Sequence, residues 1–223
     1  MIKILNIETA TTNCSVSLSQ DGETLILMED KSPDYSHAEK LHLYIKETVK
    51  DAGYNFQDLQ AVAISKGPGS YTGLRIGVSA AKGLCFSLDI PLISISTLKS
   101  LACQIDVEDA FIVSMLDARR MEVYASVFDS NYEIVRDTKA EIISENSFAE
   151  FLNQKKTYFI GSGVEKTKEV INHPNAVFVD SKLPSANEMS KLSFDKYKIS
   201  DIEDVAYFEP YYLKDFIAIK PKS

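Results

Sequence analysis

The order of apolar runs occurs twice along this chain, and that duplication limits the fold more than any other feature. In the first half, residues 2–7, 14–19 (with Val16 and Leu18 alternating) and 24–28 read as a strand meander, with Asp21-Gly22 as a hairpin turn. A helix is expected from about Ser36, whose hydroxyl can cap it with Glu39 at the capping-box position. Leu41, Tyr44, Ile45, Thr48, Val49 and Ala52 then share one helical face, and Gly53 closes it. Residues 61–65 form a short buried strand, a Gly-rich turn follows, and a second helix runs over about 72–88. A further strand at 92–95 precedes a short helix near 98–103. The second half repeats the order more loosely, with strands at 111–116, 122–128 and 134–138 and a helix near 148–152. After these come a strand at 158–160, a helix after Gly163, a strand at 177–179 and a helix over 186–194. Each half thus reads strand-strand-strand-helix-strand-helix, and each first strand ends at an acid, Glu8 or Asp117. An α/β fold built on a duplicated unit is expected.

Composition narrows the class further. At 223 residues, 45% hydrophobic and 25% charged, the chain is an ordinary globular protein, neither disordered nor fibrous. Burial of roughly 70–75% of the unfolded surface makes disulfide staples unnecessary. Cys14, Cys85 and Cys103 contain no C-x-x-C pair, so reduced thiols are expected rather than a zinc site or a disulfide framework. The first residues are strand-like rather than a signal peptide, and no apolar run approaches the ~18 residues of a membrane helix. A cytoplasmic location is expected. The net charge is −8 and each half carries more acids than bases, so neither offers a phosphate-neutralising face of its own.

Three segments are candidates for chemistry. The turn Glu8-Thr9-Ala10-Thr11-Thr12-Asn13 can wrap a phosphate with backbone N–H groups and hold a metal through its carboxylate, or can be an ordinary polar turn. Gly67-Pro68-Gly69-Ser70-Tyr71-Thr72-Gly73 can receive an anion at a helix N-terminus, or can be a tight turn launching a thin helix. It is neither a Walker loop nor G-x-G-x-x-G. Ile160-Gly161-Ser162-Gly163 can lie against an adenine or its ribose, or can be a simple N-capped turn. The helix over 72–88 has Arg75 and Lys82 as its only charges. Gly73, Gly77, Ala80, Ala81 and Gly83 leave it thin, and at ~1 kcal/mol per glycine this demands a close packing partner. His37 and His42 are five apart and so miss the i, i+4 face of a helical zinc pair, while His173 precedes Pro174. Surface or capping roles are expected for all three. No G-x-S-x-G elbow and no complete catalytic constellation is present.

Several of these residues carry a resemblance. Ile7-Glu8-Thr9-Ala10, the stretch from Ser65 through Gly-Pro-Gly-Ser-Tyr-Thr-Gly-Leu-Arg-Ile to Gly77, and Asp117-Ala118-Arg119-Arg120 with Glu122-Val123-Tyr124 resemble the TsaB (YeaZ) family. The tail Phe208-Glu209-Pro210-Tyr211-Tyr212-Leu213-Lys214 is similar to that family's end, so the match spans nearly the whole chain. The resemblance implies an actin-like, sugar-kinase-like (ASKHA) fold of two βββαβα units. One domain would span 1–105 and carry the dimerisation helices; the smaller one would span 106–223, with the tail packing back. It implies a part in making threonylcarbamoyladenosine, the modified adenosine beside the anticodon of tRNAs that read codons beginning with A. In that picture the chain is a catalytically silent partner of a TsaD-type transferase, joined by a TsaE-type ATPase. It would dimerise with itself when alone and meet tRNA only through the complex.

The resemblance also assigns residues. Counting on from Pro91, Thr97 and Leu101 stand where TsaD carries its metal-binding histidine pair, so no metal is expected. The first two helices would form a four-helix interface through Leu41, Tyr44, Ile45, Thr72, Arg75, Ile76, Gly77, Ala80, Lys82 and Gly83, or would simply cover their own sheet. Glu8, Thr9, Thr11, Gly67, Gly69, Ser70 and Asp117 would mark the old phosphate corners, and Gly161 and Gly163 the adenosine corner. No cofactor is required; ATP or ADP would sit at a subunit junction. Two readings from other classes stand beside this one. One is an ATP-dependent small-molecule kinase or acyltransferase using Glu8 and Asp117 with Mg²⁺. The other is a peptidase, which no Ser/His/Asp or Cys/His arrangement supports.

Overall fold

The computed structural model describes residues 1–32, 37–180 and 182–214. Asp21 and Gly22 both take positive φ (52° and 92°), the backbone that a tight hairpin needs. They fold β2 (Cys14–Gln20) back onto β3 (Glu23–Asp30), and β2 also pairs antiparallel with β1 (Lys3–Glu8). Helix α1 (His37–Asp51) then returns the chain to β4 (Ala61–Gly67), parallel to β1; α2 (Tyr71–Leu88) returns it to β5 (Leu92–Ser96). Sheet order is β3-β2-β1-β4-β5, and the short α3 (Thr97–Ala102) follows.

The second half rebuilds this plan. Strands β6 (Phe111–Asp117), β7 (Glu122–Phe128) and β8 (Ile134–Ile142) form the meander. Then come α4 (Ala149–Leu152), β9 (Thr157–Ile160), α5 (Val164–Lys168), β10 (Ala176–Val179) and α6 (Ala186–Lys198). The order β10-β9-β6-β7-β8 mirrors the first sheet, with β9 parallel to β6. The arrangement is the duplicated actin-like, sugar-kinase-like α/β fold, and each repeat is completed by the fifth strand and last helix expected at 92–95 and 98–103 and at 177–179 and 186–194. Strand β8 runs to Ile142 rather than 138 and α6 to Lys198 rather than 194, while α4 and α5 lie where expected and are about one turn each. The expected capping residue of α1, Ser36, lies outside the described residues.

The last helices are exchanged. Leu98, Leu101 and Ala102 of α3 pack with Ile112, Leu116, Phe128 and Ile160 of the second sheet. Ala186 and Met189 of α6 pack with Ile4, Ala61, Ala63, Ile93 and Ile95 of the first. A polar seam reinforces that second contact: Asn6 donates to Ser17 (3.1 Å), and Ser193 donates to Asn6 Oδ1 (2.7 Å). The opposite face of the first sheet holds the main core, where Leu5, Ile7, Val16 and Leu18 meet Leu41 and Ile45 of α1 and Val78 of α2. Among the described residues no helix is long and apolar enough to cross a membrane.

Candidate functional site

Strand β1 delivers Glu8 into the interior, where it is fully buried. Its Oε1 accepts from the Ala10 amide (2.6 Å) and the Ser65 hydroxyl (2.9 Å). Oε2 has no hydrogen-bond partner among the described residues. Burial pushes the carboxyl pKa up to about 7 against the opposing pull of those hydrogen bonds. The loop after Glu8 is clamped from both neighbouring helices. His37 Nε2 meets the Thr11 carbonyl at 2.7 Å, and the Ser70 amide donates to the Ala10 carbonyl at 2.7 Å. His37 is therefore buried, contrary to the surface or capping role expected, and burial lowers its pKa.

Gly69 before α2 and Gly73 and Gly77 within it explain themselves against this loop. A Cβ at Gly69 would lie 2.4 Å from the Ala10 carbonyl oxygen, one at Gly73 2.2 Å from the Thr9 carbonyl oxygen, and one at Gly77 2.2 Å from Thr9 Oγ1. The close packing partner that a thin helix demanded is the chain's own backbone at 9–10. Ser70 caps the helix by accepting from the Gly73 amide (3.2 Å). Gly67, at φ 105°, lies under the tail, where a Cβ would sit 2.9 Å from the Tyr211 carbonyl oxygen. Glu8, Thr9, Thr11, Gly69 and Ser70 are thus brought together as one corner.

Asp117 does not join them. It ends β6 in solvent, with Oδ1 accepting from the Arg119 amide (2.6 Å) and the Lys166 ammonium (2.8 Å). Gly161, at φ 115°, is pressed on β6: its Cβ would meet the Met115 carbonyl oxygen at 2.1 Å. One at Gly163 would meet Val123 Cγ1 at 2.9 Å. A cleft of about 810 Å³ lies between the halves, and of the expected nucleotide residues only Gly161 lines it. Its charged lining is Glu29, Glu165, Asp180 and Glu188 against Lys31 and Lys182, an excess of acid that disfavours a triphosphate. Thr97 Oγ1 accepts from the Gly67 amide (3.2 Å) and Leu101 is fully buried, so the two positions expected in place of histidines serve packing. Burial raises the thiols of Cys14 and Cys103 to about 11 and that of Cys85 to about 12, the reverse of what a nucleophilic cysteine needs. Among the described residues no group of His, Cys, Asp and Glu is arranged to hold a metal ion.

The expected interface residues divide by burial. Leu41, Ile45 and Gly77 face the chain's own core, which corrects their expected place on a docking surface. Tyr44, Ile76, Ala80 and Lys82 are half-buried; Thr72, Arg75 and Gly83 are exposed. Arg75 lies over the Tyr71 ring (4.2 Å to its centroid) with its Nε toward the Tyr212 hydroxyl (3.4 Å), and Lys82 donates to the Ala206 and Phe208 carbonyls (3.0 and 3.2 Å). Both cations therefore hold the tail along α2, a duty their spacing in the sequence did not reveal. Reading by spacing also passed over Phe86, three residues beyond Gly83 and 86% exposed. Ser65 and Lys166, 57 and 49 residues from their acids in sequence, carried no signal of their roles.

Comparison with known proteins places the chain. A family model described as TsaD, tRNA N6-adenosine threonylcarbamoyltransferase, matches residues 33–218. The Haemophilus influenzae tRNA threonylcarbamoyladenosine biosynthesis protein TsaB is 30% identical over 240 residues, covering 98% of this chain and 96% of that protein. Its Escherichia coli namesake is 29% identical over 230 residues, covering 98% and 97%. A solved structure of YeaZ from Pseudomonas aeruginosa superposes with a TM-score of 0.82 at 25% identity, over 96% of this chain and 100% of that one. A second Pseudomonas aeruginosa structure, described as having similarity to peptidase YeaZ, reaches 0.85 at 24% identity over the same shares and speaks to the fold. From its duplicated fold, its family-model match and its near-full-length identity to these relatives, the chain belongs to the TsaB (YeaZ) family.

Proposed function

We propose that the chain serves tRNA threonylcarbamoyladenosine biosynthesis as a non-catalytic subunit that docks on a TsaD-type transferase through the outer side of α1 and α2. A TsaE-type ATPase joins the pair. The observation that carries this reading is the outward stripe of α2, where Thr72, Ser79 and Gly83 present little side chain beside the exposed Phe86. Small residues let a second helix approach closely, and an exposed aromatic at the end of the stripe supplies an anchor. The chemistry-bearing groups support a silent role: Glu8 is shut inside the protein and Asp117 is already held by Lys166. The acid-lined cleft gives the kinase reading no support.

The test is light scattering after size exclusion, with the chain alone and mixed with the TsaD-type subunit of its own organism. A one-to-one heterodimer is expected, weakened at least tenfold by Gly83→Arg or Phe86→Asp, both of which change exposed positions and leave the fold intact. Absence of binding at micromolar concentration overturns the reading. Gly77 is unsuited to this test because its substitution would strike Thr9.

A further inference from the structure

The β6–β7 hairpin spends conformational energy on two arginines that nothing inside the protein uses. The loop closes where the Ala118 amide donates to the Glu122 carbonyl (3.0 Å), with Arg119, Arg120 and Met121 between. Arg119 and Arg120 have φ of 71° and 51°. Consecutive left-handed residues in a hairpin are ordinarily Asn, Asp or Gly, because a Cβ there crowds the following carbonyl. The conformation is nevertheless firmly held. Asp117 Oδ1 accepts from the Arg119 amide, and Lys166 Nζ donates to Asp117 Oδ1 and to the Arg120 and Glu122 carbonyls (2.7 and 2.9 Å). Strain that the surroundings over-determine points to use.

The charges indicate what the use is. Both guanidiniums are exposed, and among the described residues neither has an ion-pair partner. The two carboxylates at the base of the hairpin are already occupied, Asp117 by Lys166 and Glu122 by Lys214. The tip therefore presents two uncompensated cations on a chain whose net charge is −8. Guanidinium forks match phosphate oxygens, and an adjacent pair carried on a firmly held backbone suits a dense polyanion better than a single carboxylate. We infer that the Arg119–Arg120 tip grips the phosphodiester backbone of an RNA. Resting on the function proposed above, this gives the subunit a direct contact with the tRNA that its complex modifies. It adds a contact of this chain's own to the expectation that tRNA is met only through the complex. The contact positions the RNA without reading its sequence.

The experiment uses the assembled heterodimer and an unmodified transcript of a tRNA that reads a codon beginning with A, with affinity followed by fluorescence anisotropy across a salt series. Arg119→Glu with Arg120→Glu should weaken binding about tenfold at low salt and flatten the log K against log salt slope by roughly 2, one for each lost phosphate contact. Arg119→Asn with Arg120→Gly suits the left-handed backbone and removes both charges, so it should melt no earlier than the parent yet show the same loss. Lys191→Glu on α6 should change neither quantity. Heterodimer formation is measured on every sample. Unchanged affinity and slope in an intact heterodimer overturn the RNA contact and leave the docking reading standing. Loss of the heterodimer by either double variant makes the tip a protein interface, which also overturns it. If the parent chain forms no heterodimer, the docking reading falls. The titration is then made on the chain alone at low salt, where the double variants must still weaken RNA binding.

Discussion

A carboxyl group sealed beneath a loop makes Glu8 a reporter of its own burial. In the unfolded chain it ionises near 4.5, while in the folded protein burial holds it protonated up to about 7. Below pH 4.5 both states are protonated and Glu8 imposes no penalty. As the pH rises from 4.5 to 7 the unfolded state releases its proton first, so stability falls, by roughly 3 kcal/mol once the pH has passed 7. Glu8→Gln keeps an acceptor for the Ala10 amide and cannot ionise. It should raise stability by about 2 kcal/mol at pH 8 and leave it nearly unchanged at pH 4, as read by urea unfolding at the two pH values. A Glu8 that instead held charge would reverse the order of the two proteins at pH 8.

At the scale of the element, α2 has two faces that read alike in sequence and differ in consequence. Gly73 is pressed on a carbonyl oxygen, whereas nothing lies within 4 Å of a Cβ at Gly83. Gly73→Ala should therefore cost ~2–3 kcal/mol by displacing the 9–10 backbone, and Gly83→Ala should gain ~1 kcal/mol as an exposed helix position. Equal effects in chemical denaturation would show that the glycines act through helix propensity alone. The contrast also marks how far the sequence could be read. Alternation along β2 and the apolar face of α1 located those elements; β1 and β2 are buried on both faces, but the second face of β2 carries Ser15, Ser17 and Ser19, whose hydroxyls keep the period visible. Strand β8 was shortened in that reading because its polar Arg136, Asp137, Lys139 and Glu141 mask the period. The glycines said that something presses on α2, yet glycine carries no mark of whether the neighbour is the same chain or another. Likewise an apolar helix face states that α3 and α6 must be covered, not which sheet covers them. The corner at Glu8 was legible as an acid at a strand end; its partner Ser65 was not, since 57 residues separate them.

For the molecule as a whole, the exchange of α3 and α6 means that neither half owns a complete core. Removing α6 would uncover Ile4, Ala61, Ala63, Ile93 and Ile95 together, and removing α3 would uncover Ile112, Phe128 and Ile160. The two halves should therefore unfold as one, with calorimetric and van't Hoff enthalpies in agreement, and a fragment of residues 1–105 should show no cooperative melt. Two resolved transitions in the full chain would contradict this. The tail adds a consequence of a different kind. Ribosomal synthesis delivers α2 long before residues 205–214, yet Val205 and Phe208 pack half-buried against the core that it covers, and the Tyr212 ring lies tilted against Tyr71 at its start. On a growing chain α2 therefore lacks these contacts until residues 205–214 have been made, and its packing is finished late in synthesis.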